Sequence, residues 1–219
     1  STLADALDRL LLDACPPARV RDIERGAPPD ALWQALESSG FLDALVPFER
    51  GGAGLTLADA FELFVLQGRH ALPVPMAQTM AARALQSEQL PRELGAVLTA
   101  AQMVGALERV LDMTVAFAQQ RQQFGQRLAD FQLVQGMLAD SKAELYASKC
   151  MVLDAAQRRD NGENISTEAA CAKMYASEMC GRVADRAVQI FGGAGYMAEY
   201  GIERFYRDVR LFRIYEGTT

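Results

Sequence analysis

The amino-acid sequence predicts an all-α protein in two parts: a small N-terminal helical subdomain, then a C-terminal antiparallel bundle of long helices. Three observations carry this. Apolar residues recur at three- and four-residue intervals through most of the 219 residues. Proline, with glycine, punctuates the first 86 residues closely, and seven of the eight prolines fall there. No stretch shows the period-two alternation of a half-buried strand.

Taken in order, Ser1-Thr2 caps a first helix with Leu3, Leu7, Leu10 and Leu11 on one face, ending near Ala14 before Pro16-Pro17. Pro28-Pro29-Asp30 opens a second, with Leu32, Trp33 and Leu36 on one face and Gly40 just past its end. Gly51-Gly52-Ala53-Gly54 is too glycine-rich for a helix. A phosphate-cradling loop is the weaker reading beside a plain turn, because no strand precedes it and no Gly-Lys-Ser/Thr follows. Thr56 caps a third helix that runs through Ala60, Leu63, Phe64 and Gln67 to His70. Pro73 and Pro75 separate it from a fourth, about Met76 to Leu85. Residues 87–94, polar and carrying Pro91, form the junction between a domain over 1–86 and one over 95–219. Three long helices follow: Ala96 to Gln119, Phe131 to Arg159, and Ser166 to Ile190, the last with an alanine-rich stripe that lets neighbours approach closely. Ser166 is its expected cap, after the Asn161-Gly162 turn.

Composition narrows the function. A net charge of −6, with arginines interspersed among acids, argues against a nucleic-acid partner. No signal-peptide pattern and no run of eighteen apolar residues point to export or a membrane span. The four cysteines have no metal-ligand or redox spacing, so free thiols in a cytoplasmic setting are expected, with Cys171 and Cys180 as small hydrophobes in a helix. The one histidine, His70, argues against a histidine-rich zinc site or a triad and suits a helix end.

Three segments exceed what a structural bundle needs. Arg121-Gln122-Gln123-Phe124-Gly125 lies at a turn between long helices, where Arg121 offers a fork for phosphate oxygens or simply closes a helix C-terminus. Gln189-Ile190-Phe191-Gly192-Gly193-Ala194-Gly195-Tyr196 ends the last long helix, as a glycine cap or a place where a ligand meets bare backbone. Ile214-Tyr215-Glu216-Gly217-Thr218 sets a carboxylate among apolar and aromatic neighbours, where desolvation can make it a general base. In this order, with Gln132 and Arg207-Asp208 between them, the segments resemble the C-terminal helical domain of the acyl-CoA dehydrogenase family. The similarity covers about Ala96 to Thr219, and the loop in Leu45-Val46-Pro47-Phe48-Glu49-Arg50-Gly51-Gly52-Ala53-Gly54 is compatible with the family's N-terminal helices.

The resemblance implies an FAD enzyme that takes a proton and a hydride from the α and β carbons of an acyl-CoA thioester. Glu216 matches the base for the α proton, with flavin N5 accepting the hydride. Arg121, Gln123, Phe124 and Gln132 match positions that hold a neighbouring subunit's FAD, and Gln189, Gly192 and Gly193 match the segment along its adenosine. Tyr215 and Gly217 match residues lining the thioester, and Thr218 one that approaches the flavin. It further implies a homodimer or dimer of dimers, with electron-transfer flavoprotein as electron acceptor. The family also has a β-barrel domain where only residues 87–94 stand here. A chain assembled from ordered pieces of a longer protein would show a spatial break between Gln86 and Leu94, well beyond the roughly 3.8 Å of bonded Cα atoms. Without a barrel, a non-catalytic subunit completing another chain's FAD site is the alternative; an acyl-CoA oxidase on the same fold is a further one.

Overall fold

The structure, a computed structural model, describes residues 2–87 and 89–215. Helix α1 (Thr2–Ala14) buries Leu7 and Leu11, as its spacing requires. Helix α2 (Pro17–Glu24) was not expected: Pro16-Pro17 stops α1 but also starts α2, since a proline in the first turn has the right φ and lacks an N–H that would go unbonded. Helix α3 (Asp30–Ser39) closes on Gly40 at φ 78°. Helix α4 (Phe61–Arg69) begins later than Thr56, because Thr56 accepts the Asp59 N–H at 3.1 Å and winds residues 57–60 into turns. Helix α5 (Met76–Leu85) follows.

The C-terminal part holds α6 (Arg92–Gln120), α7 (Gln132–Asp160), α8 (Ser166–Phe191) and a further unexpected helix, α9 (Ile202–Leu211), which buries Ile202, Phe205 and Val209. Ser166 is the first residue of α8 rather than its cap; its N–H is accepted by the Asn164 side chain at 3.0 Å. Helix α6 is the axis of the molecule, packed by α4, α7 and α8. It is long and apolar enough to cross a membrane, with a mean hydropathy of 1.3 in its most apolar window, but 89% of that window is buried by its neighbours, as in a core helix. Its contact with α4 is backbone to backbone: a Cβ on Gly68 would lie 1.8 Å from the Gln102 carbonyl oxygen, and one on Gly105 1.8 Å from that of Val65. One apolar cluster therefore runs from Leu7 in α1 through α4, α6 and α8 to Val209 in α9. The Asp160 carboxylate, at the end of α7, accepts the N–H groups of Leu57 and Ala58 at 2.9 and 2.8 Å and joins the two parts again.

Three local expectations change. The break expected between Gln86 and Leu94 does not appear among the described residues, where Ser87 Oγ donates to the Gln89 carbonyl at 3.0 Å and accepts its N–H at 3.2 Å. Strand is present, though minimal. β1 (Gln122–Gln123) pairs antiparallel with β2 (Gln126–Arg127) around Phe124-Gly125, whose φ values of 54° and 83° suit a two-residue hairpin. Cys171 is exposed, on the outer side of α8, whereas Cys15 and Cys180 are buried. His70 ends α4 as expected, its Nε2 2.7 Å from Asp8 Oδ1.

Candidate functional site

The expected site residues fall into two clusters. The first lies at one end of the bundle, where α6 ends, α7 begins and α8 ends. Phe117 of α6 stacks on Phe191 of α8 with ring centroids 4.0 Å apart, and Tyr200 meets both rings edge-on. This aromatic clamp brings the turn after Gln189 beside the turn after Gln120. Arg121 caps α6 through its N–H to the Phe117 carbonyl at 2.8 Å, while its side chain is exposed and has no partner among the described residues. Gln123 and Gln132 are exposed nearby, the latter as the first residue of α7. Phe124 is 92% exposed at φ 54°, a conformation that costs a bulky residue about 1 kcal/mol or more.

The three glycines after Gln189 have different reasons. Gly195 is packing, because a Cβ there would meet Phe191 and the Val188 carbonyl at 2.8 Å. Gly192, at φ 59° and ψ −139°, holds a backbone shape reserved for glycine. Gly193, like Gly192, has nothing within 4 Å of an added Cβ, and both are exposed, as is Gln189. Bare backbone, an unpartnered guanidinium and a displayed aromatic ring thus share one surface. Leu133 and Tyr196 extend it as further exposed apolar groups, and α7 buries no residue before Ser141.

The second cluster surrounds Tyr215. It is a crevice of about 250 Å³ where α4, α6 and α9 converge, walled by Gln67, Gly68, Gln102, Asp208, Phe212 and Tyr215 among others. The glycine contact of α4 with α6 sets its base. Gln67 is fully used: Oε1 accepts the Ala77 N–H at 2.8 Å and Nε2 donates to the Val74 carbonyl at 3.4 Å. Gln102 is buried with no partner for Nε2, a free donor at the crevice wall. The sequence marks Gln67 only as a helix residue, Asp208 only as part of the Arg207-Asp208 pair, and Gln102 not at all; a lone amide inside an otherwise apolar helical run was the signal for the two glutamines. Glu216, Gly217 and Thr218 lie outside the described residues, but Tyr215, their neighbour in sequence, is part of this wall.

Burial pushes the Asp208 carboxyl above the ordinary carboxylate value, opposed chiefly by Arg204. The folded chain therefore holds this proton more tightly than the unfolded chain, so stability falls as pH rises from the unfolded value through the folded one. Asp208→Asn should raise Tm at about pH 7 and give no gain at about pH 3, where both states are protonated. Thermal melts at the two pH values check this; an equal gain at both would assign the effect to packing instead.

The two clusters do not meet within one chain. From Gln102 to Arg121 is nineteen residues along α6, roughly 28 Å at about 1.5 Å per residue.

Comparison with known proteins is specific for the C-terminal part. Residues 91–219 match the family model described as "Acyl-CoA dehydrogenase, C-terminal domain". The chain is 46% identical over 127 residues to the caffeyl-CoA reductase-Etf complex subunit CarC of Acetobacterium woodii, a match covering 58% of this chain and 34% of that protein. It thus spans about a third of the length of that curated relative. The solved butyryl-CoA dehydrogenase of Megasphaera elsdenii is similar at TM-score 0.57 and 37% identity, over 65% of this chain and 34% of that one. A solved acyl-CoA dehydrogenase chain from Geobacillus kaustophilus matches 99% of this chain and 94% of its own at TM-score 0.87 and 18% identity, which makes the whole helical arrangement a shared fold.

Proposed function

The chain belongs to the acyl-CoA dehydrogenase family, and from that membership we propose that it acts with FAD in the α,β-dehydrogenation of an acyl-CoA thioester. The observation that carries this reading is the place of Tyr215 in the crevice of α4, α6 and α9, with Glu216 next in sequence. A carboxylate kept out of water by apolar and aromatic neighbours has a raised pKa, which suits taking a proton from carbon. Glu216 removes the α proton; Tyr215 and Gly217 flank the thioester, and Thr218 faces the flavin. FAD, when bound, supplies the acceptor for the β hydride.

The residues at the other end of the bundle fit that cofactor. Arg121 is free to meet a diphosphate, Phe124 presents a ring to a flat base, and Gly192 and Gly193 leave backbone open to close approach. Gln123, Gln132 and Gln189 supply exposed amides around them. Because this surface lies so far along α6 from Tyr215, it serves the FAD of a second copy, and the exposed Phe124, Leu133 and Tyr196 form part of the homodimer contact. Electrons then pass to an electron-transfer flavoprotein.

The six residues between α5 and α6, where the family resemblance implies a β-barrel domain, favour a second reading: a non-catalytic subunit that completes the FAD site of another chain. Mixing the purified protein with FAD, a panel of acyl-CoAs and an electron-accepting dye separates the two. The dehydrogenase takes up flavin, an acyl-CoA bleaches it, and Glu216→Gln keeps the flavin but stops the bleaching. Failure to take up flavin points to the partner subunit, whereas peroxide formed in air without dye marks an oxidase.

A further inference from the structure

A second cleft, of about 530 Å³, opens where the start of α9 and residues 198–201 face the α1–α2 corner and α6. Its wall contains a buried cation without a counter-ion. Arg204 is only 8% exposed, its Nε has no hydrogen-bond partner, and no carboxylate among the described residues lies within ion-pair distance of it. Its neighbours are the ring of Phe205, 5.4 Å away, and Asp208 one turn on, which feels the Arg204 charge but makes no ion pair with it. An unpaired charge at a surface is ordinary, but a buried guanidinium without a partner is strongly disfavoured.

Arg204 is not alone. Arg21 of α2, Arg25 just past its end and Arg109 of α6 line the same cleft and have no ion pair among the described residues. Arg69 and Arg207 also line it but are taken, by Asp112 and Glu203 at 2.7 and 2.8 Å. Of the lining carboxylates, Asp8 is held by His70 and Glu203 by Arg207, which leaves Glu24 and Glu199. In a chain of net charge −6, this cleft gathers six arginines against four carboxylates. Met113, Tyr200 and Phe205 add apolar surface, and the volume suits a small organic ligand.

We propose that this cleft binds a small organic molecule through a phosphoryl group seated on Arg204 and Arg109. Several guanidinia converging from α2, α6 and α9 suit a multiply charged oxyanion, whose oxygens can accept from more than one planar fork, better than a single carboxylate. Glu24 and Phe205 line both this cleft and the crevice beside Tyr215, yet the proposal does not depend on dehydrogenation.

Calorimetric titration at low ionic strength with AMP and with inorganic pyrophosphate tests it, with neither FAD nor acyl-CoA present. Wild-type protein should bind at least one probe, and Arg204→Met and Arg109→Gln should each weaken that binding by about tenfold or more. Arg204→Met should also keep or raise Tm without ligand, since it replaces a lone buried charge by an apolar chain of similar length. AMP binding with an organic contribution shows as tighter binding than orthophosphate; equal affinity for AMP and orthophosphate would remove the organic part of the ligand. Binding of neither AMP nor pyrophosphate, or unchanged binding in both variants, would overturn the site. If Arg204→Met does not fold, Arg109→Gln at its part-exposed position decides alone. Either result leaves the FAD titration to be judged on its own.

Discussion

Gly68→Ala is expected to cost about 3 kcal/mol of stability or more, an effect at the severe end for one methyl group. The cause is geometric. A Cβ at Gly68 would lie 1.8 Å from the Gln102 carbonyl oxygen and 2.6 Å from its carbon, and neither atom belongs to a side chain that could turn away. The backbones of α4 and α6 would have to part, which opens the apolar contacts of Val65, Phe64 and Met103 together. Gly105→Ala, against the Val65 carbonyl oxygen at 1.8 Å, should behave alike. Gly136→Ala is the control: it lies in α7 with nothing within 4 Å of an added Cβ, so it should gain about 0.5 to 1 kcal/mol from helix propensity. Urea unfolding of the three variants gives the comparison, and matching midpoints for Gly68→Ala and Gly136→Ala would refute the close contact. Because the same contact sets the base of the crevice beside Tyr215, a folded Gly68 variant should also show altered acyl-CoA binding.

Arg121→Ala and Glu216→Gln should each lower dehydrogenation about 10²- to 10⁴-fold as pure homo-oligomers, yet recover activity when mixed. The reason is the roughly 28 Å along α6 between the crevice wall at Gln102 and the turn at Arg121. If each site takes Glu216 from one copy and Arg121 from the other, a mixed dimer has one site damaged twice and one intact. Random exchange in a two-fold dimer then restores about a quarter of wild-type sites. Co-expression with two different affinity tags, followed by purification on both, isolates the mixed species for assay. A mixed dimer no more active than its parents would show that one chain supplies both groups, or that the chain does not catalyse.

Much of this was legible before folding was considered, and the exceptions share a cause. Most helices, and ends such as those at Gly40 and Pro75, follow from short-range signals, although α6 starts at Arg92, right after Pro91 and inside the expected junction, rather than at Ala96. The same local chemistry hid α2, because Pro17 reads as a stop for one helix before it reads as the start of the next. It also hid the hairpin at Gln122–Arg127, where a phenylalanine takes the left-handed backbone that a sequence reader reserves for Gly or Asn.

The sequence by itself determined an all-α chain, its membership of a flavoenzyme family through segments near Arg121, Gln189 and Glu216, and the residue types available for chemistry. Tertiary structure alone decided that Gln67, Gln102, Asp208 and Tyr215 share one crevice, that Arg121 and Gly192 share a distant surface, and that Arg204 is buried with no ion pair among the described residues. Helical periodicity reports only which side of a segment is apolar. Which helix covers that side, how closely two glycines let the backbones approach, and which charges are stripped of water are set by packing between residues distant in the chain.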